Sequence, residues 1–163
     1  MKKFFYTLIY SLMVIALPSC NFDKNEKDGS GELTTSQLII GSWKTDKYEW
    51  TELVNGKVQE SGTVYFDDND YMLWTYRADG SFVDMTIEEG VAYKYKGTWV
   101  ATSSKLFMTY EEELLGEKME WSENYKISSV NRTKFVIEFI DTELDEDGTK
   151  YEYITEYTFT KQE

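Results

Sequence analysis

The feature of this chain that most limits its fold is an alternation of apolar and polar side chains, broken by a turn signal about every 8–12 residues. Trp121, Tyr125 and Ile127 would share one face of a strand, for example, and Ser122 and Lys126 the opposite face. A strand with one apolar face and one wetted face is typical of antiparallel sheets. The strands that this spacing predicts cover residues 42–54, 58–66, 71–77, 81–87, 92–101, 105–113, 118–129, 133–144 and 149–160.

The links between these predicted strands are short, and none leaves room for the crossover helix that a parallel pair needs. Successive strands should therefore pair in an up-and-down meander, with Asp79-Gly80 and Glu89-Gly90 supplying the positive φ of hairpin turns. A meander of about eight to nine strands loses its exposed edges when it closes on itself. We expect an all-β domain that forms a closed antiparallel barrel; the alternative is an open sandwich.

The N-terminal residues indicate a secretory signal that ends at a lipid-attachment site. Lys2 and Lys3 precede residues 4–17, an uncharged run shorter than the roughly 17–25 residues of a transmembrane helix. Leu-Pro-Ser-Cys at residues 17–20 resembles the lipobox of bacterial lipoproteins. In that family the cysteine thiol takes a diacylglycerol and the new amine is often acylated, for instance with palmitate. The resemblance implies that residues 1–19 are removed and that Cys20 carries the lipid anchor.

The sequence then divides into a tether at residues 20–35 and a barrel domain at residues 36–163. The tether is polar and contains glycine, which is typical of a flexible segment. Two or three acyl chains at Cys20 would hold the protein stably at a membrane without a transmembrane helix. The acids Asp23, Glu26 and Asp28 resemble the surface-export signals of Bacteroidetes lipoproteins. That resemblance implies a cell-envelope protein, an outer-membrane lipoprotein on the periplasmic or the exposed side.

Charge and composition exclude several classes of function. Removing residues 1–19 takes away Lys2 and Lys3 but no acid, so the formal charge of −13 becomes about −15, which repels nucleic-acid phosphates. The chain has no histidine, and its one cysteine is Cys20. With that thiol acylated, His-based nucleophile systems, thiol catalysis and His- or Cys-based metal sites are excluded. We therefore expect no enzyme activity, no cofactor and no metal.

Two segments of the chain are rich in acidic residues. Residues 143–148 alternate acids before a glycine, as in the first half of an EF-hand loop, but the twelfth position lacks the glutamate that would bind calcium. We expect this segment and residues 67–70 to be turns.

The acidic residues also leave one catalytic alternative open. Carboxylate-based hydrolysis needs two acids about 5–10 Å apart. Asp84, Glu138 and one of residues 111–113 are the acids that the sequence offers.

Three motifs carry a resemblance to the lipocalin-like lipoproteins that are common in Bacteroidetes. A short helix is expected before the first strand, with Ser36 as its N-cap and Gly41 in a left-handed conformation after it. Gly41-Ser42-Trp43 follows, as a Gly-x-Trp follows the helical turn of lipocalins. The other motifs are a hairpin at residues 76–82 and Gly-Thr-Trp at residues 97–99. The resemblance implies a calyx-like barrel, although a Thr-Asp-Tyr motif and the late arginine that stacks on the lipocalin tryptophan have no counterpart.

Aromatic residues make up 17% of the chain, and many fall within the predicted strands. Such rings fill small barrels, but inward-facing ones can also line a cup for a ligand. The candidate ligand-binding residues are Trp74, Tyr76, Tyr93, Tyr95 and Trp99. The predicted function is binding of a small hydrophobic or amphipathic ligand inside the barrel. The alternatives are a non-enzymatic module that docks an envelope protein or a glycan through its outer face, and a carboxylate hydrolase.

Replacing the one cysteine tests the predicted lipid anchor. Cys20→Ser removes the thiol that would take the diacylglycerol, so we expect the variant to lose its lipid mass and to leave the membrane fraction. Mass spectrometry and membrane fractionation measure the two effects. A variant that stays with the membrane, together with a wild type that carries no lipid mass, would contradict the lipobox assignment.

Overall fold

The computed structural model describes residues 33–114 and 117–163, which contain one short α-helix and nine β-strands. Helix α1 covers Thr35–Ile39, and strands β1 to β9 cover, in order, Gly41–Val54, Lys57–Tyr65, Tyr71–Tyr76, Ser81–Glu88, Val91–Ala101, Lys105–Leu114, Glu117–Val130, Lys134–Leu144 and Lys150–Lys161. No helix within these ranges is long and apolar enough to cross a membrane. The predicted signal peptide, Cys20 and most of the predicted tether lie outside the described residues.

Eight strands form a closed antiparallel barrel, and one further strand, β2, lies outside it. Going round the barrel, β1 pairs with β3, each later strand pairs with the next one in the chain, and β9 pairs again with β1. The predicted all-β class and the closed barrel are therefore confirmed. Every predicted strand is found within one residue of its expected ends, because the turn residues that bound it act locally.

The chain departs from a simple meander at β2. One edge of β1 takes two neighbours, since its residues 41–44 pair with β3 and its residues 47–54 pair with β2. Between the two ladders, the Thr45 hydroxyl donates to the Met72 carbonyl at 2.8 Å and accepts from the Met72 N–H at 2.9 Å. These bonds fix the start of β3 against β1 while residues 66–70 loop out. Strands β2 and β3 therefore lie end to end beside β1 and do not pair with each other.

The predicted N-cap of the helix, Ser36, is wrong. Thr34 caps the helix, because its hydroxyl accepts from the Gln37 N–H at 3.3 Å while the Gln37 side chain accepts from the Thr34 N–H at 2.9 Å. This reciprocal pair is a capping box. Ser36 lies inside the first turn and donates to the Ala101 carbonyl at 3.2 Å, which ties the helix to β5. Gly41 has the predicted positive φ, at 130°.

The helix closes one end of the barrel, which we call the floor, through contacts with Trp43. The Trp43 indole is fully buried and donates from Nε1 to the Ile39 carbonyl at 2.6 Å. The Lys161 ammonium lies 4.9 Å from the Trp43 ring and donates to the Ile40 carbonyl at 2.8 Å. The carbonyls at the end of the helix thus find donors on the first and last strands. The largest fully buried apolar side chains are Trp43, Tyr76, Phe82, Phe135, Phe159, Ile39, Leu106, Met108 and Ile137.

Inward-facing side chains become more exposed towards the opposite end, which we call the mouth. On β5, Trp99 is 7% exposed, Tyr95 is half-buried and Tyr93 is 45% exposed. The ladder between β7 and β8 joins only residues 126–130 to residues 135–138, so these strands are not hydrogen-bonded to each other nearer the mouth. The barrel is therefore filled at the floor and open at the mouth.

Gly97 lies in β5 where a side chain would collide with β6, and it offers a test of the barrel packing. A Cβ at this position would lie 1.9 Å from the Thr109 carbonyl oxygen and 2.8 Å from the Phe82 ring. Because the neighbouring backbone would have to move, we expect Gly97→Ala to lower the free energy of unfolding by roughly 1–3 kcal/mol in urea unfolding. Thr98→Ala, at an exposed position next to it, is the control and should change that free energy by no more than about 0.5 kcal/mol. Equal losses in the two variants would contradict the packing.

Candidate functional site

A cavity of about 240 Å³ lies inside the barrel, on the mouth side of the core. This volume is somewhat smaller than the roughly 300–1,000 Å³ of pockets for drug-sized ligands, so it suits a small molecule. The aromatic side chains that line it are Trp74, Tyr95, Tyr110, Trp121, Tyr125 and Tyr157. The remaining lining residues are Met72, Asp84 and Glu123.

Strand register explains why these side chains meet. Trp74 on β3, Asp84 on β4 and Tyr95 on β5 are successive cross-strand partners and form a row across three neighbouring strands. Tyr110 on β6 and Trp121 on β7 are partners in the same way. Directly opposed residues share a face of the sheet, and barrel closure turns that face inward.

The rings of the cavity wall hold one another in fixed orientations. Tyr110 and Trp121 stack with their centroids 4.9 Å apart and their planes 1° from parallel. Tyr95 meets Trp121 edge-on at 5.9 Å, and Trp74 meets Tyr125 edge-on at 5.6 Å. Stacked and edge-on pairs are favourable arrangements of aromatic rings. The wall therefore consists of aromatic rings that pack against one another.

Asp84 is the buried acid of the cavity. The residue is 7% exposed, and the Thr86 hydroxyl donates to its Oδ1 at 3.1 Å. Burial raises the pKa of Asp84 to about 6; the Thr86 hydroxyl and the Trp74 indole oppose this rise, and the negative charge of Glu123 adds to it. The carboxyl therefore gains or loses its charge close to neutral pH.

Glu123 is the second acid and lies on β7 between Trp121 and Tyr125. It is half-buried, and the Tyr125 hydroxyl donates a hydrogen bond to its Oε2. Burial raises the pKa of both Tyr110 and Tyr125, and the charge of Glu123 raises each of them further. Both phenols therefore stay protonated, so their hydroxyls remain hydrogen-bond donors in the cavity wall.

The indole N–H of Trp74 is buried and has no hydrogen-bond partner in the part of the chain that the structure describes. It is close enough to Asp84 to lower the pKa of that carboxyl, but the two groups do not reach hydrogen-bond geometry. A buried N–H without an acceptor costs free energy, and most native N–H groups avoid this. The cavity wall therefore holds an unused donor next to a buried acid.

The candidate residues from the sequence fall into three places. Trp74 and Tyr95 line the cavity. Tyr76 and Trp99 are buried deeper, with their ring centroids 5.3 Å apart, and belong to the core. Tyr93 lies on the same strand nearer the mouth and does not line the cavity. Two of these five residues thus share the cavity wall.

Sequence reasoning named Asp84 only as an acid of the hydrolase alternative. It did not name the other lining residues as site residues, namely Met72, Tyr110, Trp121, Glu123, Tyr125 and Tyr157. A signal for Glu123 was present, because it occupies the inward register between Trp121 and Tyr125. Asp84 likewise occupies the register of the buried Phe82. A charged residue in the apolar register of a strand therefore identifies both acids of this cavity.

The acid-rich segments outside the cavity form the predicted turns. The Gly148 N–H donates to the Asp145 carbonyl at 3.0 Å between β8 and β9. The Asp67 side chain accepts from the N–H groups of Asn69 and Asp70 at 2.6 and 3.1 Å. Among residues 33–114 and 117–163, no group of three or more His, Cys, Asp and Glu side chains is placed to hold a metal ion.

Comparison of the sequence with protein-family models finds no family that matches, and comparison with curated proteins finds no match either. Function is therefore inferred from the cavity, its aromatic walls and its two acids.

Replacing Asp84 tests the environment of the buried acid. Because the folded-state pKa is raised from 3.8 to about 6, the ionised carboxyl destabilises the fold, and this penalty grows as the pH rises from 3.8 to 6. Asp84→Asn removes the charge and keeps an acceptor for Thr86. We expect the variant to be more stable than the wild type at pH 8, by up to about 3 kcal/mol, and the advantage to shrink towards pH 4.

Asp79→Asn is a control with the opposite sign. Hydrogen bonds from the Ser81 hydroxyl and N–H lower the pKa of Asp79, so its carboxylate stabilises the fold above the ordinary carboxyl pKa. This variant should lose stability at pH 8, and the loss should fade as the pH falls below about 4. Urea unfolding over a pH series measures both variants. A difference between Asp84→Asn and wild type that does not vary with pH would contradict the assignment.

Proposed function

We propose that this protein is a lipid-anchored envelope lipoprotein whose barrel binds a small amphipathic molecule. The observation that carries the proposal is the cavity on the mouth side of the core, with its aromatic walls, its two acids and the unused N–H of Trp74. A purely structural core would place apolar side chains at these inward positions, since burial of an acid costs free energy. The lipobox at residues 17–20 supports the lipid anchor and the envelope location.

The contact between Trp43 and Lys161 supports the lipocalin-like part of the proposal. In lipocalins a late arginine stacks on the tryptophan of the first strand. Here Lys161, at the end of the last strand, places its ammonium 4.9 Å from the Trp43 ring and donates to the carbonyls of Leu38 and Ile40. We propose that Lys161 serves in place of that arginine.

We favour binding over catalysis, although Asp84 and Glu123 form the kind of inward acid pair that the hydrolase alternative requires. A glycosidase must place its scissile bond between its two acids, and its substrate must cross them. This cavity is small and is walled by rings on several strands. The Tyr125 hydroxyl also occupies one oxygen of Glu123. Both features favour a ligand that is bound intact over a substrate that is cleaved.

Native mass spectrometry tests the proposal on protein that is gently extracted from its own envelope. After subtraction of the acyl mass, we expect a stoichiometric extra mass that is lost on denaturation. Met72→Trp adds an indole to the cavity wall and should abolish this adduct. Val100→Trp adds the same ring at an exposed position on β5 and should leave the adduct in place.

The same spectra also report the outcomes that would contradict cavity binding. An adduct that persists in Met72→Trp, while circular dichroism shows the variant to be folded, would place the ligand elsewhere. A shorter, cleaved form of the adduct that accumulates with time would favour the hydrolase instead. A bare protein would favour the second candidate function.

The second candidate is an interaction module, and the outer edge of β2 favours it. Within the described residues this edge has no partner strand. Tyr65 is 75% exposed there, and Val58 and Val64 are exposed as well. An unpaired edge with apolar side chains can accept a strand from another protein. The partner would be an envelope protein.

A further inference from the structure

The cavity has an unbalanced set of charges. Asp84 and Glu123 both line it, and no lysine or arginine among the described residues does. The ion pairs among the described residues join Lys44 to Asp68, Lys47 to Glu49, Lys126 to Glu138 and Lys150 to Glu152. Neither cavity acid takes part in them. Because a buried carboxylate is normally paired with a positive charge, a cation bound here would stabilise the ionised form of Asp84.

We propose that the ligand is a cationic amphipathic molecule, an organic ammonium whose nitrogen binds near Asp84 and Glu123 and whose apolar part packs against the aromatic wall. This inference rests on the proposed function, since it names the ligand class of the same cavity. An ammonium group would supply the positive charge that the two acids lack. Its N–H groups would also donate to carboxylate oxygens.

The rings of the wall suit a cation as well as an apolar group. A positive charge within about 6 Å of the face of a Trp or Tyr ring is attracted by the ring quadrupole, more strongly where water is excluded. The rings of Trp74, Tyr110, Trp121 and Tyr125 line the same cavity as the two acids. Aromatic cages of this type are a common means of binding ammonium ligands.

Neutral and anionic ligands fit the same wall less well. A neutral apolar molecule would displace water from two carboxyl groups and return no hydrogen bond, which is costly. An anion would be repelled by both acids. Outside the cavity, the formal charge of the full chain, −13, favours the approach of cations to the protein.

The unpartnered N–H of Trp74 indicates a further polar group on the ligand. It lies beside Asp84 and lacks an acceptor. A ligand with an oxygen near its ammonium group would satisfy this donor while its nitrogen pairs with the acid. An amine that also carries a hydroxyl, ether or carbonyl oxygen is therefore the chemical class that could bind both acids and the Trp74 N–H.

Three probes of similar size separate charge from apolar packing: 2-phenylethylamine, 2-phenylethanol and 3-phenylpropanoate. Isothermal titration calorimetry at pH 7.5 on the purified protein measures the affinity of each. We expect the amine to bind at least about tenfold more tightly than the alcohol, and the carboxylate to bind more weakly than both. Equal binding of amine and alcohol, or stronger binding of the carboxylate, would overturn the inference and leave cavity binding intact.

Charge-removing variants show whether the preference arises in the cavity. Glu123→Gln and Asp84→Asn should each weaken amine binding at least about fivefold and change alcohol binding less than about twofold. Glu120→Gln, at an exposed position on the opposite face of β7, removes the same charge and should change neither. An equal effect of Glu120→Gln and Glu123→Gln would overturn the inference. Failure of all three probes at millimolar concentration would overturn the proposed function together with it.

Discussion

The structure depends on the ladder between the first and last strands of the barrel. β1 and β9 come from opposite ends of the described chain, and their pairing extends from Trp43 opposite Lys161 to Val54 opposite Tyr151. This ladder turns a sheet with two free edges into a ring, and it directs one face of every barrel strand to a common interior. Phe159 thereby meets Trp74 at a centroid distance of 4.9 Å. Both the core and the cavity follow from this closure.

The interior of the barrel has two parts with different roles. At the floor, the helix, Trp43 and Lys161 form a closed set of packing and hydrogen-bond contacts. Towards the mouth, the same inward registers hold acids and rings that leave space between them. Asp84 is kept there although its burial penalises the ionised form. A side chain that costs stability and lines a cavity is more typical of a binding site than of a structural core.

The sequence predicts much of the fold because its signals are local. Two-residue alternation and turn residues define every strand to within one residue. The displacement of β2 is not visible in this way, because it depends on the tertiary bonds of Thr45 to Met72. Alternation also identifies which residues face inward but not how deep they lie, since depth depends on strand stagger. The alternation pattern therefore does not distinguish Trp74 from Tyr76, yet of these two only Trp74 lines the cavity.

The most direct test of this account is a titration of the Asp84 carboxyl carbon by ¹³C NMR, assigned with the Asp84→Asn variant. A buried acid beside Glu123 should titrate near pH 6 in the free protein. With 2-phenylethylamine bound, the midpoint should move towards lower pH, because a nearby positive charge stabilises the carboxylate. A midpoint at the ordinary 3.8 in the free protein would contradict the buried acid. A midpoint near 6 that saturating amine leaves unmoved would contradict the cationic ligand.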